Sequence, residues 1–196
     1  AAYLRALLFT DGDALPEASR LAATALALCR ESSCGNEGRI VNLQARIAFL
    51  AGDRAAALAA ALEALSLNRK AKADEEMANS LRIAADVRTE LGELAKAEEG
   101  YASALSLDKR LGLAFKISLD LLRLGDVAAA RGRGDDALVF YRRALDASRG
   151  AADERGMAGL GGLAESCQTG ACRLAGVRTG PGAGSEFWPG DTVRPL

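Results

Sequence analysis

Apolar residues recur along this chain at helical spacing, and the pattern itself repeats. Downstream of Gly52, Ala57, Ala61, Ala64 and Leu65 mark one face of a segment. Forty residues later come Ala97, Tyr101, Ala104 and Leu105, and forty later again Ala137, Tyr141, Ala144 and Leu145. Steps of four, three and one trace a single α-helical face. Small residues on it let a neighbouring helix approach closely, while Tyr and Leu fill the space beside them. Upstream of each glycine runs a second helical stripe. Val41, Ala45, Ala48 and Phe49 recur as Leu81, Ala85, Arg88 and Thr89, then as Leu121, Gly125, Ala128 and Ala129. The spacing predicts a repeated unit of helix A, a tight turn at Gly52, Gly92 or Gly132, and helix B. Glycine suits the end of helix A because it takes up positive φ without strain. Asp53, Glu93 and Asp135, just beyond, suit the start of helix B.

The period continues outward with small slips. Gly12 lies 40 residues before Gly52, and a one-residue shift places Ala18, Ala22, Ala25 and Leu26 on the expected face. Pro16 is tolerated near that helix start, where an amide has no intrahelical partner. Gly170 and Ala175 open a shorter fifth unit. Residues 1-175 are therefore read as one helical repeat domain, with units at about 1-36, 37-72, 73-112, 113-150 and 151-175. From Gly176 the helical period stops, and residues 176-196 hold three of the four prolines and the single Trp. This stretch reads as a flexible Gly/Pro-rich tail. Gly184-Ser185-Glu186-Phe187 resembles two translated restriction sites, which marks part of it as vector-derived. Phe187 and Trp188 are the alternative there, as a docking element.

Composition narrows the function. The 42 Ala and 30 Leu far outnumber the 16 Val, Ile and Thr, so the fold class is all-α. Lys and Arg total 25 against 26 Asp and Glu, a net charge of −1, which offers no electrostatic footprint for nucleic acid or an anionic membrane. No apolar run approaches the roughly 20 residues of a membrane span. The chain has no histidine, and so lacks the usual general base at neutral pH and the commonest metal ligand. It shows no P-loop, metal-helix motif or His-containing triad, and carboxylate pairs such as Glu75-Glu76 are adjacent and point apart. No cofactor is expected, and no catalytic residues. Gly159-Leu160-Gly161-Gly162-Leu163-Ala164 spells a dinucleotide fingerprint, but no strand precedes it. Arg133-Gly134-Asp135 spells an adhesion tripeptide at a turn where Gly and Asp have capping reasons to occur. The chain begins without Met and without a signal-peptide pattern, and so is read as a fragment or processed product.

The helix B triads Ala97, Tyr101, Ala104 and Ala137, Tyr141, Ala144, with Leu124-Gly125 on helix A, resemble the tetratricopeptide repeat (TPR). The large aromatic early in helix A is replaced by Val41, Leu81 and Leu121. Arg69, Lys109 and Arg149 stand where a proline usually follows helix B. The 40-residue period points to the longer-repeat branch, as in kinesin light chains and bacterial regulatory TPR proteins. The resemblance implies a right-handed superhelix of antiparallel helix pairs whose helices A line a concave groove for a peptide or helix of a partner protein. Stacking is physically apt, since no unit can bury its apolar face alone.

Helix A positions away from the core face are the candidate groove lining: Arg39, Asn42, Arg46 and Phe49, then Asn79, Arg82, Asp86 and Glu90, then Leu119, Leu122, Asp126 and Ala129. Asn42, Arg46, Asn79 and Arg82 are expected to converge. Their amide and guanidinium donors suit a carboxylate, and so an acidic or C-terminal peptide. The alternative is that these side chains solvate an exposed face, with Arg82 and Asp86 as a surface ion pair. The groove turns apolar and acidic in the fourth unit. The leading function is thus a non-enzymatic protein-protein interaction scaffold. Its rivals are a structural or self-associating array within a larger protein and a regulatory sensor of a small ligand or peptide signal. Tyr3, Leu4, Leu7 and Leu8 are too apolar for a solvent-facing cap, which suggests homo-oligomer contacts through the terminal helices.

Cys29 and Cys34, like Cys167 and Cys172, each span a predicted helix end and the following turn. Three readings stand open: two local disulfides, four free thiols behaving as small hydrophobes, or a zinc site. The zinc site requires the two ends of a solenoid to meet. Disulfides favour a periplasmic or secreted setting, with the cytoplasm as the alternative. Thiol titration with and without reductant separates them: two disulfides give no reactive thiol until reductant is added, and four reactive thiols without it would exclude both bonds.

Overall fold

The computed structural model describes Tyr3 and residues 14–150. They form helices α1 (Leu15–Ser32), α2 (Glu37–Leu50), α3 (Arg54–Ala71), α4 (Asp74–Glu90), α5 (Leu94–Leu111), α6 (Ala114–Ala130) and α7 (Gly134–Gly150), with no strand among the described residues. Tyr3 is itself helical. The shortened fifth unit, the tail, Cys167 and Cys172 lie outside the described residues.

Helices α2 and α3, α4 and α5, and α6 and α7 pack as hairpins. Each hairpin then stacks on the next, α3 against α4 and α5 against α6, while α1 closes on α2. The small face of each helix B makes this possible. Ala57, Ala61 and Ala64 on α3, Ala97 and Ala104 on α5, and Ala137 and Ala144 on α7 have no exposed surface. The core therefore runs as a strip along the array. Ala85, Ala97, Tyr101, Leu105, Leu121, Leu124, Val127 and Ala144 form its largest section, spanning α4 to α7. Ala45, Ala61 and Ala84 form a smaller one that joins α2 and α3 to α4.

The A-to-B turns follow the sequence reading. Gly52, Gly92 and Gly132 have φ of +84°, +75° and +75°. The residue after each donates its amide to the carbonyl five positions back, Asp53 to Ala48, Glu93 to Arg88 and Arg133 to Ala128. These bonds close the last turn of helix A. The expected caps of helix B are less uniform. Asp53 Oδ1 accepts from the Ala56 amide at 2.9 Å. The longer Glu93 side chain makes no cap bond and instead accepts from Lys96 at 3.0 Å. Helix α7 starts at Gly134, so Asp135 sits inside its first turn.

The Leu124-Gly125 pair has a steric basis. A Cβ at residue 125 would lie 2.4 Å from Cε1 of Tyr141 and 2.6 Å from its Cδ1. The glycine lets the tyrosine ring lie flat against the backbone of α6. In an unobstructed helix, Gly→Ala stabilises by roughly 0.5–1 kcal/mol. Here the sign reverses: Gly125→Ala is expected to cost about 1–3 kcal/mol through overpacking. Urea unfolding of the full chain measures this, and a raised midpoint would refute the packing account.

Candidate protein-binding surface

Helices A form a continuous inner row. Helix α2 packs directly on α4. Side chains join α4 to α6: Lys116 Nζ lies 2.9 Å from Glu75 Oε1 and 3.1 Å from Asn79 Oδ1, and Arg123 lies 3.8 Å from Asp86. The predicted groove residues all sit on these three helices, but most of their polar groups are already engaged.

Asn42 and Arg82 require a correction. They occupy equivalent positions in α2 and α4, and were expected to face a ligand. Instead they are 5 % and 8 % exposed and turn into the seams between units. Each residue directly follows a core position, Val41 or Leu81, so a modest rotation carries it beneath the next helix pair. In the first of these seams, Ser80 Oγ lies 2.7 Å from Asn42 Oδ1 and 2.8 Å from the Glu76 carbonyl, so its one proton serves one at a time. Asn68 Nδ2 donates to Ser80 Oγ at 3.1 Å, and Asn42 Nδ2 donates to the Glu76 carbonyl and carboxylate, each at 3.0 Å. Gly38 leaves room for this arrangement, since a Cβ there would lie 2.1 Å from Asn68 Oδ1. In the next seam the same three positions hold Arg82, Asp108 and Asp120. Arg82 Nη2 donates to Asp108 at 2.5 Å, Nε to Asp120 at 2.7 Å, and Nη1 to Asn79 at 2.9 Å. The surface pairing of Arg82 with Asp86 is replaced by this buried cluster. Asn68, Asp108 and Ser148 escaped the sequence reading. Their signal is a polar residue four positions after Ala64, Ala104 and Ala144, on the face already assigned to the core.

Asp86 and Asp126 are held from below by tyrosines. Tyr101 donates to Asp86 at 2.6 Å and Tyr141 to Asp126 at 3.0 Å. Arg123 lies between the two carboxylates, 3.4 Å from Asp126. Burial pushes both carboxyls above the usual aspartate range, against the pull of Arg123 and the tyrosine hydroxyls. Burial, and then the neighbouring carboxylates, push both tyrosines up as well, so they remain protonated donors. Leu122 is half-buried and packs on the core of α6 and α7. Asn79 is half-buried, and its amide nitrogen donates to Glu76 at 3.2 Å. Arg39 is exposed, bonded to the Tyr3 hydroxyl at 3.0 Å and paired with Glu76 at 3.4 Å.

Arg46 differs from the other groove cations. It is exposed and, among the described residues, makes no hydrogen bond or close ion pair, though the Asp86 carboxylate feels its charge. At the far end of the row, Phe115, Leu119 and Leu122 succeed one another along α6, and Phe115 is 56 % exposed. The four donors expected to converge therefore divide: Asn42, Asn79 and Arg82 serve the protein, and Arg46 remains open. At the B-to-A edge, Cys29 and Cys34 are joined by a disulfide across the turn from α1 to α2, with Cα atoms 4.9 Å apart. No helix among the described residues is long and apolar enough to cross a membrane.

Stacked hairpins with an inner row of helices A define an all-α helical-repeat solenoid. The chain belongs to the MalT-like TPR region family, whose model matches residues 1–170. No curated protein matches it by sequence. Among solved structures it is similar to aspartyl phosphate phosphatase F from Bacillus subtilis, with a TM-score of 0.76 and 12 % identity over 87 % of this chain and 47 % of that one. It is also similar to the apo form of RapI, with a TM-score of 0.75 and 19 % identity over 87 % and 65 %. A third is a signal-transduction ATPase with a tetratricopeptide repeat sensor from Pyrococcus horikoshii, with a TM-score of 0.71 and 16 % identity over 85 % and 26 %. The chain spans less than two thirds of each.

Truncating Arg82 should be a stability lesion, not a binding one. Arg82→Leu strands two buried carboxylates and is expected to cost about 3–5 kcal/mol. Asn42→Leu should cost less, roughly 1–3 kcal/mol, because the lost amide is itself uncharged. Chemical denaturation of both variants reads this, and an unchanged midpoint for Arg82→Leu would return the residue to the groove.

Proposed function

We propose that this chain is a non-enzymatic interaction module that binds a segment of a partner protein along its helices A. The observation that carries this reading is the division of the inner row. Arg39, Arg82, Lys116 and Arg123 are matched internally by Glu75, Glu76, Asp86, Asp108, Asp120 and Asp126, whereas the exposed Arg46 is not. An open guanidinium at one end and an apolar strip at Phe115, Leu119 and Leu122 at the other suit an amphipathic segment with an acidic end. An acidic or C-terminal peptide remains the favoured partner, now directed at Arg46 alone. A sensor would use the same face with a smaller ligand, a reading favoured by the repeat sensor of the Pyrococcus protein.

The test begins with affinity capture by the full-length protein and continues with the captured partner's peptide. Arg46→Ala and Phe115→Ser should each weaken binding about tenfold or more, as for residues at the centre of an interface. Both lie on exposed positions and should leave the unfolding midpoint unchanged. Unaltered affinity in both variants would place the partner on another surface.

A further inference from the structure

The two seams described above share geometry but not charge. Asn42, Asn68 and Ser80 make the buried part of the first neutral, and the carboxylate that Asn42 reaches, Glu76, is paired with Arg39. The second sets one guanidinium against two carboxylates, all within 2.7 Å contacts, and both carboxylates have no exposed surface. Asp108 and Asp120 meet on the same guanidinium, and Asp108 Oδ1 has no hydrogen-bond partner among the described residues. With both carboxyls ionised, the seam encloses an uncompensated negative charge. Burying such a charge is costly, and a proton is the smallest group that removes it. We propose that the Arg82–Asp108–Asp120 cluster is a proton-operated joint between the third and fourth units, tight when the carboxyl pair holds one proton and strained when it holds none.

Arg82 is the cation in contact with both carboxylates, while Arg123, one turn after Asp120, lies beside Asp86 and Asp126. Helix α4 contributes Arg82, which Asp86 also acts on from one turn further along. Helix α5 contributes Asp108, and α6 contributes Asp120. Lys116, one turn before Asp120, is committed to Glu75 and Asn79. On α7 the residue matching Asp108 is the neutral Ser148. Burial pushes the Asp120 carboxyl up to about 6; Arg82 opposes this and Asp108 adds to it. The folded chain therefore keeps a proton at a pH where the unfolded chain has released it. That stabilisation is fully present at the low end of the window between the ordinary aspartate range and about 6, and is lost as pH rises through it. Because α4 and α6 are both inner-row helices, the proton also governs how Phe115 and Leu119 are presented relative to Arg46. The inference rests on the seam alone and stands whether or not the groove binds a partner.

The neutral seam provides the control. Asp108→Asn removes the excess charge, and the triple variant R82N/D108N/D120S installs the neighbouring seam's own residues. Thermal unfolding of the full chain is compared between about pH 5 and about pH 7.5 at constant salt. The wild type should lose about 3 °C more in Tm across that interval than either variant. Hydrogen exchange, corrected for its intrinsic pH dependence, should accelerate across residues 105–122 at the higher pH in the wild type. Residues 64–78, around the neutral seam, should not change. Equal Tm losses in the wild type and a folded variant would overturn the joint. Should neither variant fold, the wild-type exchange decides: a pH response confined to residues 105–122 supports the proposal, and a uniform or absent response overturns it.

Discussion

Everything in this array depends on how closely helices can approach across the alanine faces of α3, α5 and α7. A methyl side chain buries little area by itself, so no single hairpin has a core able to offset the loss of chain entropy. What the alanines supply is distance. With their Cβ atoms fully enclosed, each helix B contacts its own helix A, and α3 and α5 also contact the next. The larger side chains then pack in the intervals, as Tyr101, Leu105, Leu121 and Leu124 do. Gly125 is the extreme of the same constraint, reduced to a bare backbone so that the Tyr141 ring can lie on it.

Close approach brings polar groups into the seams, where they must be satisfied internally. The neutral seam does so with amides and a hydroxyl, and the charged seam with a guanidinium held by three acceptors. The two sets are not interchangeable: an arginine at residue 42 would meet the neutral Asn68 and Ser80 where Arg82 meets Asp108 and Asp120. Near-identical hairpins are thereby given distinct joints, and the order of units is enforced by the cost of burying an unpaired charge.

The same chemistry explains why the inner row is less charged in effect than its sequence suggests. Arg39, Lys116 and Arg123 each lie beside acidic residues of their own row. A partner approaching this face meets mostly satisfied ion pairs, one open guanidinium and an apolar strip on α6. Recognition would rest on shape and on a few positions, and not on a broad field of charge.

The period of 40, the A and B helices, the glycine turns and the alanine faces were legible in the sequence, because each follows from local rules. Helical spacing marks the face, and left-handed turns select glycine. The family resemblance lay in the same residues, Ala97, Tyr101 and Ala104 above all. The fate of Asn42 and Arg82 was not legible. A residue one step from the core stripe can turn outward to solvent or inward to a seam, and nothing local chooses between them. That choice belonged to Asn68, Ser80, Asp108 and Asp120, which lie 26 or 38 residues away along the chain and meet their partners only when hairpins stack. The sequence by itself determined the units and their period, since helix periodicity is a property of neighbours in the chain. Only the tertiary structure decided which polar residues hold the units together and which remain free to bind, since a buried charge takes its partner from whatever the fold brings against it.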